Sequence, residues 1–125
     1  MTDANRSDNE GPIGRLDQVG IDVGDLDRAT AFWSAVLGLT VADRDDQYVH
    51  FERLPGSLAV YLQKVPEEKT SKTRVHVDVA VKDLETALGR VGALGGTEFQ
   101  RVEESGSRWI VVADPDGNEF CLVQG

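Results

Sequence analysis

The chain repeats itself. The segment QVGIDVGDLDRATAFWSAVLGL, starting at Gln18, and the segment HVDVAVKDLETALGRVGALGG, starting at His76, match with an offset of 58 positions. Val19 falls on Val77, Val23 on Val81, Asp25 on Asp83, Leu26 on Leu84 and Ala29 on Ala87. Internal duplication constrains the fold more than composition does, because the same supersecondary unit has to be built twice and packed against its neighbour.

Each copy opens with an alternating strand pattern and turns into a helical one at an aspartate able to cap a helix, Asp25 before Leu26 and Asp83 before Leu84. In the first helix Leu26, Ala29, Phe32, Trp33, Val36 and Leu37 fall at helical spacing, and Gly38 supplies a left-handed stop. That phasing puts Trp33 in the core. The second helix carries Leu84, Ala87, Leu88, Val91 and Leu94 and stops at Gly95 and Gly96. Three strand candidates follow each helix: LTVADR, YVHFERL and LAVYLQKV in the first copy, TEFQRV, RWIVVA and EFCLVQ in the second. The turns LPGS and DPDGN make the last two strands of each copy a hairpin. DPDGN is too short, and lacks the spaced downstream acids, to be a calcium loop.

The fold expected is α+β: two tandem βαβββ modules forming curved mixed sheets around a cleft, with helices on the outer face. Module one is placed at residues 15–65, a polar linker at 66–73 and module two at 74–124, all within one domain, 13–125, behind a disordered tail, 1–12. At 125 residues the chain suits one domain. Its formal charge of −9 argues against nucleic acid and anionic membranes as partners. No apolar run nears the roughly 20 residues that cross a bilayer. The single cysteine, Cys121, cannot form an internal disulfide, so a cytoplasmic location is expected.

Alternation assigns the strand faces. Val19, Ile21 and Val23, and again Val77, Val79 and Val81, face the helices. The opposite faces carry Gln18, Gly20 and Asp22 in one copy and His76, Asp78 and Ala80 in the other. Aligning HFERLPGSLAVYL with IVVADPDGNEFCL adds Val49, Phe51 and Tyr61 on one side and Trp109, Val111 and Cys121 on the other, and turns His50 away. An apolar, aromatic cleft with a few polar groups is the usual make-up of a small-molecule site. The competing reading, in which Phe51 and Trp109 fill a collapsed core, stays open here.

The repeat, together with DLDRATAFWSAVLGL, KTRVHVDVAVKDLETALGRVGALGG and ADPDGNEFCLV, resembles the vicinal oxygen chelate superfamily. That superfamily includes glyoxalase I, extradiol dioxygenases, fosfomycin resistance enzymes and bleomycin resistance proteins. The resemblance spans residues 16–123 and is nearest to the glyoxalase-like domain branch. In metal-using members the ligands come from the start of the first strand and from the last strand of each module, and here those positions hold Gln18, Tyr61, His76 and Cys121. Glutamine and histidine are family ligands, whereas Tyr61 and Cys121 replace glutamates. The resemblance therefore implies a protein without the standard divalent-metal chemistry, and neither glyoxalase I nor extradiol dioxygenase activity.

Two functions follow. The first is binding or sequestration of a small organic molecule, as in bleomycin resistance proteins, with contacts from Gln18, Asp22, Val49, Phe51, Tyr61, His76, Asp78, Trp109, Val111 and Cys121, no cofactor, and a homodimer completing the cleft. The second is a lyase, isomerase or dioxygenase-related enzyme with an atypical site built on His76, Tyr61 and Cys121. There His76 would lower the Cys121 pKa, or a mixed zinc site would draw on Cys121, His76 and Gln18 with Asp22 or Asp78. The blander assignment of Cys121, a small buried hydrophobe, is preferred to the nucleophile.

Overall fold

A computed structural model describes residues 16, 18–56, 58–71, 73 and 76–125; the expected N-terminal tail lies outside them. The duplicated unit is present twice. Module one runs β1 (Gln18–Val23), α1 (Leu26–Leu37), β2 (Val41–Arg44), β3 (Tyr48–Phe51) and β4 (Ala59–Lys64). Module two runs β5 (Asp78–Val81), α2 (Leu84–Ala93), β6 (Thr97–Glu104), β7 (Ser107–Ala113) and β8 (Glu119–Gln124). The capping aspartates act as expected: Asp25 accepts from the backbone N–H of Arg28, and Asp83 from that of Thr86. Gly38 closes α1 with φ of 66°, a left-handed conformation that glycine adopts without steric cost.

Each module makes one four-stranded mixed sheet, in the order β1-β4-β3-β2 (sheet A) and β5-β8-β7-β6 (sheet B). The first strand pairs parallel to the last, and the others pair antiparallel. This follows from the connection: a helix crossover returns the chain to the same end of the sheet, whereas hairpins reverse it. The first strand is thus an edge in both sheets.

The helix-side faces of both sheets feed one buried cluster. Val23, Val49, Phe51, Val60 and Leu62 come from sheet A, Ile110, Val112, Phe120 and Leu122 from sheet B, and Leu26, Ala29, Phe32, Trp33, Leu84 and Val91 from the helices. Helix α1 packs on β3 and β4 of its own sheet and reaches sheet B through its aromatics. The Trp33 ring lies 4.8 Å from that of Phe120, and Phe32 meets Phe120 edge-on at 6.1 Å. The remaining face of each sheet, its open face, lies on the far side from this core.

A buried carboxylate pins the modules together. Asp114, 2% exposed, accepts from Trp33 Nε1 at 3.0 Å, from the backbone N–H groups of Asp116 and Asn118, and from Asn118 Nδ2. The same turn holds the β1–α1 junction: Asn118 Nδ2 donates to the Asp22 carbonyl, and Asp116 accepts from the Gly24 N–H and from Arg28. DPDGN is a hairpin turn, as expected, but one whose side chains face the other module.

The linker is tethered as well. Glu119 accepts from the Thr73 N–H at 2.7 Å and pairs with Lys69 at 3.2 Å, and the Thr73 hydrogen bond leads the causes that hold its carboxyl below the ordinary glutamate value.

The structure corrects the phase of β3. Val49 and Phe51, expected on the site face, are 0% and 4% exposed in the core, and His50, expected to point away, shares the face of Tyr61. The reason is one residue of register. In module two Val111 pairs with Cys121, ten positions on, whereas in module one His50 pairs with Tyr61, eleven positions on. The gapless alignment of the two hairpins is therefore off by one in β3, and a slip of one turns every side chain to the other face.

Two outcomes are expected. Asp114→Ala strands Trp33 Nε1 and two backbone donors and should cost about 3 kcal/mol in urea unfolding, and Trp33→Phe about 1–2 kcal/mol, the pair being less than additive in a double-mutant cycle. Because the Glu119 pKa is depressed by folding, its contribution is complete above the unfolded value of about 4.3 and is lost as pH falls through the folded value. Glu119→Gln should accordingly flatten the loss of melting temperature on acidification from about pH 4.3 down to the folded value.

Candidate functional site

The open face of sheet A is an aromatic row. Strand alternation puts Tyr48 and His50 of β3 beside Gln63 and Tyr61 of β4, and β1 continues the rows with Asp22 opposite Gln63 and Gly20 opposite Tyr61. The His50 ring stacks on Tyr48 at 5.8 Å and on Tyr61 at 5.7 Å, with interplanar angles of 23° and 28°. Gln63 Nε2 donates to the Tyr48 hydroxyl at 3.3 Å. The Tyr61 ring lies over Gly20: a Cβ there would sit 2.3 Å from Tyr61 Cζ, so only glycine lets the ring lie down on β1. Gln18 is exposed on the edge strand, opposite Ala59.

The open face of sheet B differs in chemistry. Asp78 pairs with Cys121, Cys121 with Val111, and Trp109 with Val123, so the expected residues Asp78, Trp109, Val111 and Cys121 do share one face. His76 precedes β5 and is exposed. A cavity of about 140 Å³ lies beside the thiol, lined by His76, Val111 and Cys121, as expected, and also by Thr73, Phe99, Gln100, Glu119 and Phe120. Cys121 is 7% exposed. Burial pushes its thiol pKa up, and the adjacent Asp78 carboxylate raises it further both by its charge and by accepting a hydrogen bond from the thiol. Such a thiol is protonated at neutral pH and is a poor nucleophile.

The expected residues are thus divided. Gln18, Asp22 and Tyr61 belong to sheet A, whereas Asp78, Trp109, Val111 and Cys121 belong to sheet B, with His76 two residues ahead of β5. Asp22 also edges a charged groove of about 750 Å³ between the β1–α1 loop, the linker and the 114–118 turn. Within it Arg28 pairs with Asp116, and Lys69 pairs with Glu119 of β8.

A family model described as a glyoxalase-like domain matches residues 18–123. The chain belongs to the glyoxalase-like domain family. Glutathione transferase FosA of Serratia marcescens is 28% identical over 116 residues, which cover 88% of this chain and 80% of FosA. Glyoxalase 1 of Caenorhabditis briggsae is 23% identical over 130 residues, covering 92% of this chain but 46% of that protein, so the chain spans about half the length of that relative. Among solved structures, the fosfomycin resistance protein FosX of Listeria monocytogenes, complexed with Mn(II) and sulfate, superposes with a TM-score of 0.75 at 20% identity, over 91% of this chain and 92% of that one. These relatives place this glyoxalase-like chain in the vicinal oxygen chelate superfamily.

The resemblance noted above implies four metal-ligand positions in this chain, and the donors standing there bear on any metal. They are an amide (Gln18), a phenol (Tyr61), an imidazole (His76) and a protonated thiol (Cys121), and none is the carboxylate that a hard divalent cation prefers. Among the described residues, no group of three or more His, Cys, Asp and Glu side chains is placed to hold a metal ion.

Sequence reasoning missed Tyr48, His50 and Gln63. The signal was present: in YVHF, Val49 and Phe51 are the apolar pair of an alternating strand, which leaves Tyr48 and His50 to the other face. Cys121 in the native chain should react with a thiolate-directed disulfide reagent at pH 7 at least tenfold more slowly than after denaturation in urea; equal rates would contradict the burial and the Asp78 contact.

Proposed function

We propose that the protein binds a small organic molecule on its open sheet faces, by sequestration rather than by divalent-metal chemistry. The observation that carries this reading is the pair of substitutions at the family's carboxylate positions. Tyr61 is laid flat over Gly20, and Cys121 is a buried, protonated thiol. Neither offers the charge that a cation needs. The enzyme reading built on His76, Tyr61 and Cys121 is weaker, because Tyr61 stands on sheet A whereas Cys121 stands on sheet B with His76 just ahead of β5, and because the thiol is not activated.

The same division favours a homodimer. Gln18 and Tyr61 form one half of the family constellation and His76 and Cys121 the other, each on an open face beside an edge strand with pairing on one side only. A second copy would bring the sheet B half opposite the sheet A half and cover β1 and β5.

Sedimentation velocity should give a dimer at micromolar concentration. In thermal melts, Mn(II), Mg(II) and Zn(II) at 1 mM-scale excess should leave the melting temperature unchanged, whereas one or more members of a panel of aromatic organic ligands should raise it, since only ligands that bind the native state stabilise it. Stabilisation by a divalent metal, with no organic ligand effective, would favour the enzyme instead.

A further inference from the structure

The aromatic row narrows the ligand. We propose that Tyr48, His50 and Tyr61, rimmed by Asp22 and Asp43, form a stacking site selective for a flat aromatic cation. The inference rests on the reading above, that the open faces bind small organic molecules, and adds the chemical class and the sheet that selects it.

Three observations carry it. First, the three rings form a set rather than isolated side chains: His50 stacks on both tyrosines, Tyr48 and Tyr61 approach at 6.3 Å, and all belong to the open face. Second, the rings are held. Gln63 donates to the Tyr48 hydroxyl, Asp45 accepts from the backbone N–H groups of Gln47 and Tyr48 at the turn that presents β3, and Gly20 leaves room for the Tyr61 ring. A prearranged row loses little freedom when a further ring adds to it. Third, the rim is acidic on both sides. Asp22 stands opposite Gln63 on β1, and Asp43 opposite His50 on β2. Both are exposed, and among the described residues neither carboxylate is paired with a cation. The neighbouring cation on β2, Arg44, stands opposite core-facing Val49, so the pleat turns it away from the row, and it pairs with Asp27 of α1 at 2.9 Å.

Aromatic faces attract a delocalised cation through their quadrupole, and the flanking carboxylates add charge attraction, whereas an anion meets repulsion from both. The formal charge of −9 acts in the same direction. The open face of sheet B supplies Trp109 and a small cavity lined in part by Phe99 and His76, and among the described residues these rings form no stacked set.

The test uses three probes of one shape at pH 8: N-methylquinolinium, neutral quinoline and the anion quinoline-2-carboxylate, titrated calorimetrically against the full chain. The cation should bind about tenfold or more tightly than quinoline, and the carboxylate more weakly than either. Tyr48→Leu and the exposed-site variant His50→Leu should each weaken the cation about tenfold, with melting curves confirming that both remain folded. Asp22→Asn combined with Asp43→Asn should erase the preference for cation over quinoline while quinoline binding persists. The inference is overturned if quinoline or its carboxylate binds as tightly as the cation, or if Trp109→Leu on sheet B abolishes binding while Tyr48→Leu and His50→Leu leave it intact; in the latter case the small-molecule reading stands. Absence of binding by all three probes, and of stabilisation by any organic ligand, overturns both.

Discussion

The Asp114 carboxylate organises this molecule. Set in an apolar junction, a buried carboxyl group is tolerable only when its polar atoms are partnered, and here four donors partner them. Three of those donors belong to its own turn, and the fourth is the indole of the other module's helix. The bond therefore fixes where α1 sits against sheet B, and with it the Phe32, Trp33 and Phe120 contacts at the centre of the shared core. The duplication is imperfect at this point. Trp33 and Asp114 of one side correspond to Val91 and Leu54 of the other, which join the same core as apolar residues. One junction is held by directional hydrogen bonds and its counterpart by non-directional burial, which leaves the polar side to specify the orientation.

With the helices committed to the core, each sheet has one face left, and the two faces have diverged. Sheet A presents stacked rings with carboxylates at its edges; sheet B presents a buried thiol beside an exposed histidine and a small cavity. The divergence is local in cause. Gly20 of β1 allows a tyrosine to lie across the strand, whereas the corresponding position in β5 is Asp78, whose carboxylate meets the Cys121 thiol. One duplicated scaffold therefore supports unlike surfaces, as expected when fold is set by core positions and function by the residues facing away from the core.

Much of this was legible in the chain. The offset of 58 positions, the capping aspartates, the alternating runs and the two hairpin turns specified eight strands, two helices and their order, and the phase of α1 placed Trp33 in the core. The face of β3 was not legible from the alignment of the copies, because sequence homology between two hairpins does not fix their pairing, and a single extra residue between His50 and Tyr61 reverses the pleat. Alternation within YVHF carried the right answer, since burial of Val49 and Phe51 releases far more free energy than burial of an imidazole and a phenol would.

The sequence by itself determined the elements, because caps, turns and periodicity act over a few residues and need no distant partner. Only the tertiary structure decided that Asp114 is a clamp rather than an ordinary turn residue, that Cys121 is a desolvated and protonated thiol, and that His50 joins Tyr48 and Tyr61 in one row. Each depends on a neighbour many positions away in the chain: Trp33 for Asp114, Asp78 for Cys121, and Tyr61 for His50. Hydrogen bonding, desolvation and ring stacking all fall off within a few ångströms, so they take effect only after the fold has set those distances.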